Sequence, residues 1–243
     1  MTKILSKVYF FYATIVFLVV FLILYPFFFI SVQHRNLYML GHWTNRIWGY
    51  MVLTLCGIPY IIQNKPKVKV PVVYCANHSS YIDIPALYCA IFENINFIGK
   101  ASLAKVPLFG YMYSRLHIIV DRRNAQSKFE SIDKAMEAIA QGISVVVFPE
   151  GTIPSHASRQ MIPFKDGAFR IAIEKQVCIV PVVLPHNHYI LPDIKSMMAH
   201  WRTCKVIFLA PVDTTGYNIS QIQELKQNVY QAMQTELNKY PLT

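Results

Sequence analysis

Beyond residue 70 the chain alternates between short β-branched runs and helix-like segments, and this alternation restricts the fold more than any other feature. The runs have the length and composition of buried strands. They cover residues 70–76, 95–99, 117–121, 144–148, 178–184 and 205–209. Strands that alternate with helices form a mainly parallel sheet. We therefore predict an α/β fold, with a single domain in which helices flank a mainly parallel central sheet.

Two of the intervening segments carry signals for the start of a helix. Residues 127–141 begin with the pattern Ser127-x-x-Glu130, which predicts a capping box. The last helix is expected to start at Ser220 and to reach about Tyr240. Both segments have the polar N-terminal residue that satisfies free backbone N–H groups at a helix start.

The first part of the chain is far more apolar than the rest. No charged residue occurs from Val8 to Gln33, and about 20 apolar residues suffice to cross the core of a bilayer. The run is too long for a cleaved signal peptide, and no cleavage pattern follows it. We predict an uncleaved membrane anchor. Pro26 interrupts the run, and positive charges flank it on both sides, so a single span and a helix that dips in and returns both remain open.

A second apolar and aromatic stretch extends from Tyr38 to Ile62. Its tryptophans and tyrosines favour an interfacial or membrane-packed helix, because such rings prefer the level of the lipid headgroups. The alternative is a core helix of the soluble domain. The polar segment 63–69 then marks a boundary. We expect the membrane anchor and interfacial helices in residues 1–62 and a globular domain in residues 63–243.

Charge and cysteine content narrow the class of protein. The net charge is +10, yet only 15% of residues are charged, against roughly 25% in average soluble chains. A basic, apolar chain favours anionic membrane surfaces or phosphorylated small molecules as partners. No nucleic-acid-binding signature is present, so we expect no nucleic-acid partner. The five cysteines include no Cys-x-x-Cys pair, which indicates reduced thiols.

Two polar motifs directly follow predicted strands. Asn77-His78-Ser79-Ser80-Tyr81-Ile82-Asp83 follows the first strand, and Phe148-Pro149-Glu150-Gly151-Thr152 follows the fourth. In this order and separation they resemble the glycerolipid acyltransferase family with the HxxxxD motif, whose members acylate lysophosphatidic acid and related acceptors. The similarity extends over roughly residues 70–215 and includes further blocks at 97–103, 107–110, 119–122, 163–169 and 179–183.

The first motif can supply the chemistry of acyl transfer. Transfer from a thioester to a hydroxyl needs a base, and histidine ionises near neutral pH, so His78 is the candidate. Asp83 can hold the other ring nitrogen and stabilise the imidazolium. Residues five apart on a regular helix point about 140° apart. The pair therefore meets only if His78 lies in a turn before a helix that begins near Ser80 or later.

The resemblance also implies residues that bind the acceptor. In the family, a Glu-Gly pair like Glu150 and Gly151 helps to bind the glycerophosphate group, and Thr152 completes that motif. Arg122 would contact the acceptor phosphate, because a guanidinium binds phosphate through two hydrogen bonds. Lys100 is a weaker candidate for the same contact.

One position departs from the family pattern. The family commonly has Arg directly after Glu-Gly-Thr, where this chain has Ile153. Arg159 or Lys165 would then supply the missing charge. Alternatively, the acceptor lacks a phosphomonoester, as in a lyso-ornithine or lyso-glycine lipid.

A second polar pattern lies at residues 186–188. His186 and His188 are spaced like a pair of metal ligands, but no Cys, Asp or Glu cluster accompanies them, so we predict no metal site.

The resemblance thus implies a membrane-bound enzyme whose acyltransferase catalytic domain, residues 63–243, faces the cytoplasm at the inner membrane. It would transfer a fatty acyl group from acyl-CoA or acyl carrier protein to the free hydroxyl of 1-acyl-sn-glycerol 3-phosphate, giving phosphatidic acid in phospholipid biosynthesis. The thioester is the activated donor, so no cofactor is expected. Two alternatives remain open: acylation of a phosphate-free lysolipid, and a non-catalytic protein that binds membrane lipids.

Overall fold

The computed structural model describes residues 2–153, 160–192 and 196–240. Seven strands form one sheet, and eight α-helices are assigned within the described residues. The strands are β1 Tyr60–Gln63, β2 Val73–Ala76, β3 Ile95–Lys100, β4 Ile118–Val120, β5 Ser144–Val147, β6 Ile179–Val183 and β7 Cys204–Phe208. The helices are α1 Lys3–Ser31, α2 Tyr38–Leu55, α3 Asp83–Ala90, α4 Phe109–Leu116, α5 Ala125–Ala140, α6 Gly167–Lys175, α7 Asn187–Ile190 and α8 Ile222–Asn238.

The sheet is mainly parallel, which confirms the predicted α/β class. The strand order is β1-β7-β6-β2-β5-β3-β4. Of the neighbouring pairs, β6 with β7 is antiparallel and the others are parallel. The five strands from β6 to β4 therefore run in one direction. Their carboxyl ends meet at a single edge of the sheet, which is where open α/β sheets bind ligands.

Both faces of the sheet are buried, as the continuous apolar runs indicated. Successive side chains of a strand point to opposite faces. In β2, Tyr74 and Ala76 join a cluster with apolar residues of α1, α2 and α3. Val73 and Cys75 join a second cluster with residues of α5, α6 and α8. All five cysteines are free thiols, and four of them are buried.

The first strand was not predicted. The stretch from Tyr38 to Ile62 was expected to be one helix, but α2 ends at Leu55 and β1 begins at Tyr60. Gly57, with a φ of 66°, lies between them and turns the chain. Strand β1 then pairs in parallel with β7, with Tyr60 opposite Cys204.

Helix α1 is the one helix in the described residues that is long and apolar enough to cross a membrane. It packs antiparallel to α2: the Tyr9 hydroxyl donates to the Cys56 carbonyl at 2.8 Å, and the Phe17 and Trp48 rings lie 4.7 Å apart. The helix continues through Pro26. Its opposite face, from Ile4 to Ile30, is apolar and exposed.

Helix α2 has two different sides. Its interrupting polar residues, His42, Asn45 and Arg46, are buried, so that side is a core helix. Trp43 and Ile47 belong to an exposed apolar side. The core-helix alternative thus describes one side of α2 only.

Both predicted helix starts were wrong by a few positions. Helix α5 begins at Ala125 because the Asn124 side chain accepts from the Ser127 N–H at 3.1 Å. The Ser127 hydroxyl instead accepts from the Asp121 N–H at 2.9 Å. Before α8 lies a short 3-10 turn whose capping box is formed by Asn218 and Gln221. A nearby asparagine can cap a helix as well as serine does, so the sequence pattern alone did not select the residue used.

Candidate active site

Polar residues gather at the edge where β2, β5 and β6 end. His78, Glu150 and Asn187 each follow one of these strands by a few residues. The Asn77 side chain joins two of the strand exits, because its Nδ2 donates to the Leu184 carbonyl and its Oδ1 accepts from the Leu184 N–H at 2.7 Å. Asn77 therefore holds the carboxyl ends of β2 and β6 together at the start of the first motif.

His78 and Asp83 are in direct contact. The His78 Nδ1 lies 2.8 Å from Asp83 Oδ2. The contact is possible because α3 begins at Asp83 and leaves His78 in the turn before it, as the spacing required. A carboxylate can only accept, so Nδ1 carries the proton and Nε2 of the neutral ring has a free lone pair. Within the described residues Nε2 has no hydrogen-bond partner, and the His78 side chain keeps 11% exposure.

The Asp83 carboxylate is completely buried and is held by hydrogen bonds alone. Its Oδ2 also accepts from the backbone N–H groups of Ser79 and Ser80, at 2.8 and 2.9 Å. Its Oδ1 accepts from Asn187 Nδ2 at 2.8 Å. No Lys or Arg of the described chain forms an ion pair with it. A buried charge persists only where such partners satisfy it, so these bonds fix the direction of the carboxylate.

The second motif holds His78 from another side. The Phe148 ring stacks on the imidazole with 3.9 Å between centroids. Glu150 is 3% exposed; its Oε1 accepts from the His78 N–H at 2.9 Å, and its Oε2 accepts from the Ile162 N–H at 3.0 Å. Burial raises the pKa of Glu150, and the two N–H donors oppose that shift. Both carboxylate oxygens thus bond to the backbone, and the predicted acceptor-binding role of Glu150 stays a prediction.

Lys165 lies across Gly151. Gly151 has a φ of 72°, a conformation that favours glycine, and a Cβ there would lie 2.8 Å from the Lys165 Nζ. The Thr152 hydroxyl donates to the Ile153 carbonyl at 3.3 Å. Lys165 therefore brings a positive charge next to the motif in which Ile153 replaces arginine. Arg159, the other candidate for that charge, lies outside the described residues.

Lys100 and Arg122 lie at the ends of β3 and β4, at the same edge of the sheet as His78. Lys100 is opposite Val120 in the register of the two strands. Arg122 is half-buried, and burial lowers its pKa from the usual value. In the part of the chain that the structure describes, its guanidinium has no hydrogen bond or ion pair. Neither residue contacts His78, so any joint action requires a ligand between them.

Sequence reasoning missed Asn187 and noticed only its neighbours. His186 Nδ1 lies 3.2 Å from the Thr203 carbonyl, and His188 packs on the Tyr189 ring. Residues 2–153, 160–192 and 196–240 contain no cluster of three or more potential metal ligands. Asn187 lies three residues after the predicted strand at 178–184, at the edge that carries His78, and that position was the available signal.

A mainly parallel sheet with a buried His–Asp pair at its carboxyl edge, and an imidazole nitrogen without a partner among the described residues, is an arrangement that enzymes using histidine as a general base can employ. The particular family follows from comparison with known proteins. The model of the Acyltransferase family matches residues 59–185, just over half of the chain. The protein belongs to this acyltransferase family.

Individual relatives agree with this assignment. The chain is 29% identical to a 1-acyl-sn-glycerol-3-phosphate acyltransferase of Cocos nucifera, over 89% of this chain and 68% of that protein. It is 27% identical to the Haemophilus influenzae protein of the same name, over 83% of this chain and 82% of that protein. The crystal structure of the 1-acyl-sn-glycerophosphate acyltransferase PlsC from Thermotoga maritima shares the fold, with a TM-score of 0.76 and 21% identity over 98% of this chain and 95% of that one.

Proposed function

We propose that this protein transfers a fatty acyl group from a thioester donor to the free hydroxyl of 1-acyl-sn-glycerol 3-phosphate, giving phosphatidic acid. The observation that carries the proposal is the His78–Asp83 contact of 2.8 Å, with Nε2 left without a partner among the described residues. The names of the relatives support the choice of acceptor. Acyl-CoA and acyl carrier protein are both candidate donors.

In the proposed reaction, His78 Nε2 accepts the proton of the acceptor hydroxyl as its oxygen attacks the thioester carbonyl carbon. Asp83 stabilises the imidazolium that results. Collapse of the tetrahedral intermediate breaks the C–S bond, and the imidazolium returns the proton to the departing thiolate. The attacking group is the acceptor's own oxygen, so the reaction uses neither an enzyme nucleophile nor a cofactor.

The charges around the site support a phosphorylated acceptor. Arg122, Lys100 and Lys165 lie at the same edge of the sheet as His78 and would attract the phosphate, with Gly151 and Thr152 beside it. The second candidate function, acylation of a phosphate-free lysolipid, is favoured by Ile153. We prefer the phosphorylated acceptor because the Lys165 Nζ lies across Gly151, next to the motif that lacks the arginine.

The exposed apolar faces of α1 and α2 support association with a membrane, the source of the lipid acceptor. We propose that these helices form the anchor, and that the sheet with its other helices forms a catalytic domain on the cytoplasmic side. The proposed boundary at residues 62 and 63 falls inside β1.

The direct test assays membranes that carry the protein with labelled 1-acylglycerol 3-phosphate and each donor in turn. The parent is expected to form phosphatidic acid, and the preferred donor is identified by rate. Product only from phosphate-free lysolipids would replace the first candidate by the second. Lipid binding without turnover of any acceptor by folded, membrane-bound protein would favour the non-catalytic alternative.

Asp83→Asn is expected to lower the rate in this assay by roughly 100-fold or more, by analogy with the aspartate of serine hydrolases. The substitution removes the charge that stabilises the imidazolium. It also replaces one carboxylate oxygen by an N–H₂ group, which cannot accept from the N–H groups that donate to that oxygen in the parent. The exposed Asp213→Asn variant is the matched control, and it is expected to keep the parental rate. Equal rates for the two variants would contradict the assigned role of Asp83.

Arg122→Gln is expected to raise the KM for 1-acylglycerol 3-phosphate by roughly 10-fold to 100-fold, because a charged hydrogen bond to phosphate contributes about 1.5–3 kcal/mol. The exposed neighbour Arg123→Gln is the control and is expected to leave the KM unchanged. Steady-state rates at varied acceptor concentration measure both. If Arg122→Gln behaves like its neighbour, the guanidinium does not bind the acceptor phosphate.

A further inference from the structure

We propose that Asn187 is a positioning residue for acyl transfer, because its amide holds the Asp83 carboxylate in the orientation that His78 needs. This role rests on the proposed function of the His78–Asp83 pair. The Asn187 side chain is completely buried, and its Nδ2 donates to Asp83 Oδ1 at 2.8 Å.

The direction of this amide is determined at both ends. A carboxylate accepts and never donates, so the amide nitrogen must face Asp83. The amide oxygen in turn accepts from the Cys204 thiol at 3.3 Å. Burial raises the pKa of the Cys204 thiol, which therefore stays protonated and remains a donor.

Asn187 binds the carboxylate oxygen of Asp83 that the neighbouring donors in residues 78–80 do not reach. His78, Ser79 and Ser80 all donate to Oδ2, whereas Asn187 is the partner of Oδ1 among the described residues. Loss of that donor would leave one oxygen of a buried carboxylate unsatisfied, and the carboxylate would rotate to share its remaining donors. Rotation moves Oδ2 away from the line to His78 Nδ1. The amide lies next to Asp83 because Asn187 follows β6. The side chain of Asn77 connects the carboxyl end of β6 to that of β2.

Among the surrounding groups, the Asn187 amide has the largest effect on the orientation of Asp83 Oδ1. The other titratable groups near Asp83 are His78, Glu150, His188 and Cys204. Burial lowers the pKa of His188 to about 4, so this ring is uncharged at neutral pH. The described residues give Asp83 no ion pair to Lys or Arg that would substitute for a lost amide donor.

The test compares Asn187→Asp with Asn187→Leu, which both keep the number of side-chain heavy atoms of asparagine. In Asn187→Asp two carboxylates meet at hydrogen-bond distance and retain a shared proton to a higher pH than a lone acid does. The singly protonated pair has the same net charge as the parent and restores a donor to Oδ1. The doubly charged pair repels.

We expect kcat to fall roughly 10-fold to 100-fold in both variants, with little change in KM, by analogy with the outer-shell residues that orient metal-binding histidines. The decisive result is the ratio of variant to parent rates between about pH 8 and about pH 6, the range in which histidine bases titrate. The ratio should rise towards lower pH for Asn187→Asp and stay flat for Asn187→Leu. Asn238→Asp, at an exposed site on α8, should keep a ratio of one.

A second measurement needs no substrate. Nitrogen-15 NMR of histidine-labelled protein in detergent, with the His78 signal assigned from His78→Ala, reports which ring nitrogen carries the proton. The parent should show the Nδ1–H form, and Asn187→Leu should show a mixture. This result decides the positioning role even if the parent acylates none of the tested lysolipids, which would overturn only the proposed function. An unchanged ring form in Asn187→Leu, or a flat rate ratio for Asn187→Asp, would overturn the role of Asn187.

Discussion

His78→Ala is expected to lower the rate of acyl transfer by about three orders of magnitude, within the range that a general base contributes. The unpartnered Nε2 is the proposed proton acceptor, and no other described residue offers an imidazole bonded to a buried carboxylate in this way. Initial rates with both substrates saturating, at equal amounts of membrane-bound protein, measure the effect. The KM values should change little, because the ring acts on the reacting oxygen and not on the phosphate.

The control for this substitution is His34→Ala, since His34 is exposed and lies outside the site. It should retain the parental rate. His78 also stacks on Phe148, so thermal unfolding of both variants separates lost chemistry from lost structure. If His78→Ala remains folded and keeps more than about a tenth of the parental rate, His78 is not the base, because a general base contributes far more than that.

Most of the sheet was predictable from the sequence, because a strand that is buried on both faces has a β-branched, apolar composition along its own length. All six predicted strands are present, and each end lies within three residues of the predicted one. Strand β1 was missed because Tyr60–Gln63 continues an apolar, aromatic stretch without a change of composition. Its assignment depends on pairing with β7, which lies more than 140 residues further on.

The site divides in the same way between local and distant contacts. His78 and Asp83 were predictable because their contact spans five residues and is built by one turn and one helix start. The contacts of Glu150 and Asn187 with the first motif span 72 and 104 residues. Such contacts follow from strand order, and the periodicity of a single sequence does not reveal that order. The family pattern indicated that Glu150 matters but not which atoms it holds.

Glu150→Gln is expected to lower kcat roughly 10-fold to 100-fold, the loss that a small displacement of a reacting group produces. The carboxylate accepts from the N–H groups of His78 and Ile162, whereas glutamine has one acceptor and turns its N–H₂ towards the other donor. The His78 backbone must then move. The KM for the acceptor should stay constant, because no part of this contact belongs to the substrate.

Stability should change far less than the rate in Glu150→Gln. Burial raises the pKa of Glu150, so its stabilising contribution is present below the unfolded-state pKa and is lost as the pH rises through the folded-state value. At neutral pH glutamine avoids the cost of burying a charged carboxylate, while the N–H group that is left without an acceptor costs about 1–3 kcal/mol. These effects oppose each other, and we expect a net change in the free energy of unfolding within about 1 kcal/mol. Glu174→Gln, on the exposed side of α6, is the control for both measurements. A rise in the acceptor KM at unchanged kcat would instead assign Glu150 to acceptor binding, as the family resemblance implied.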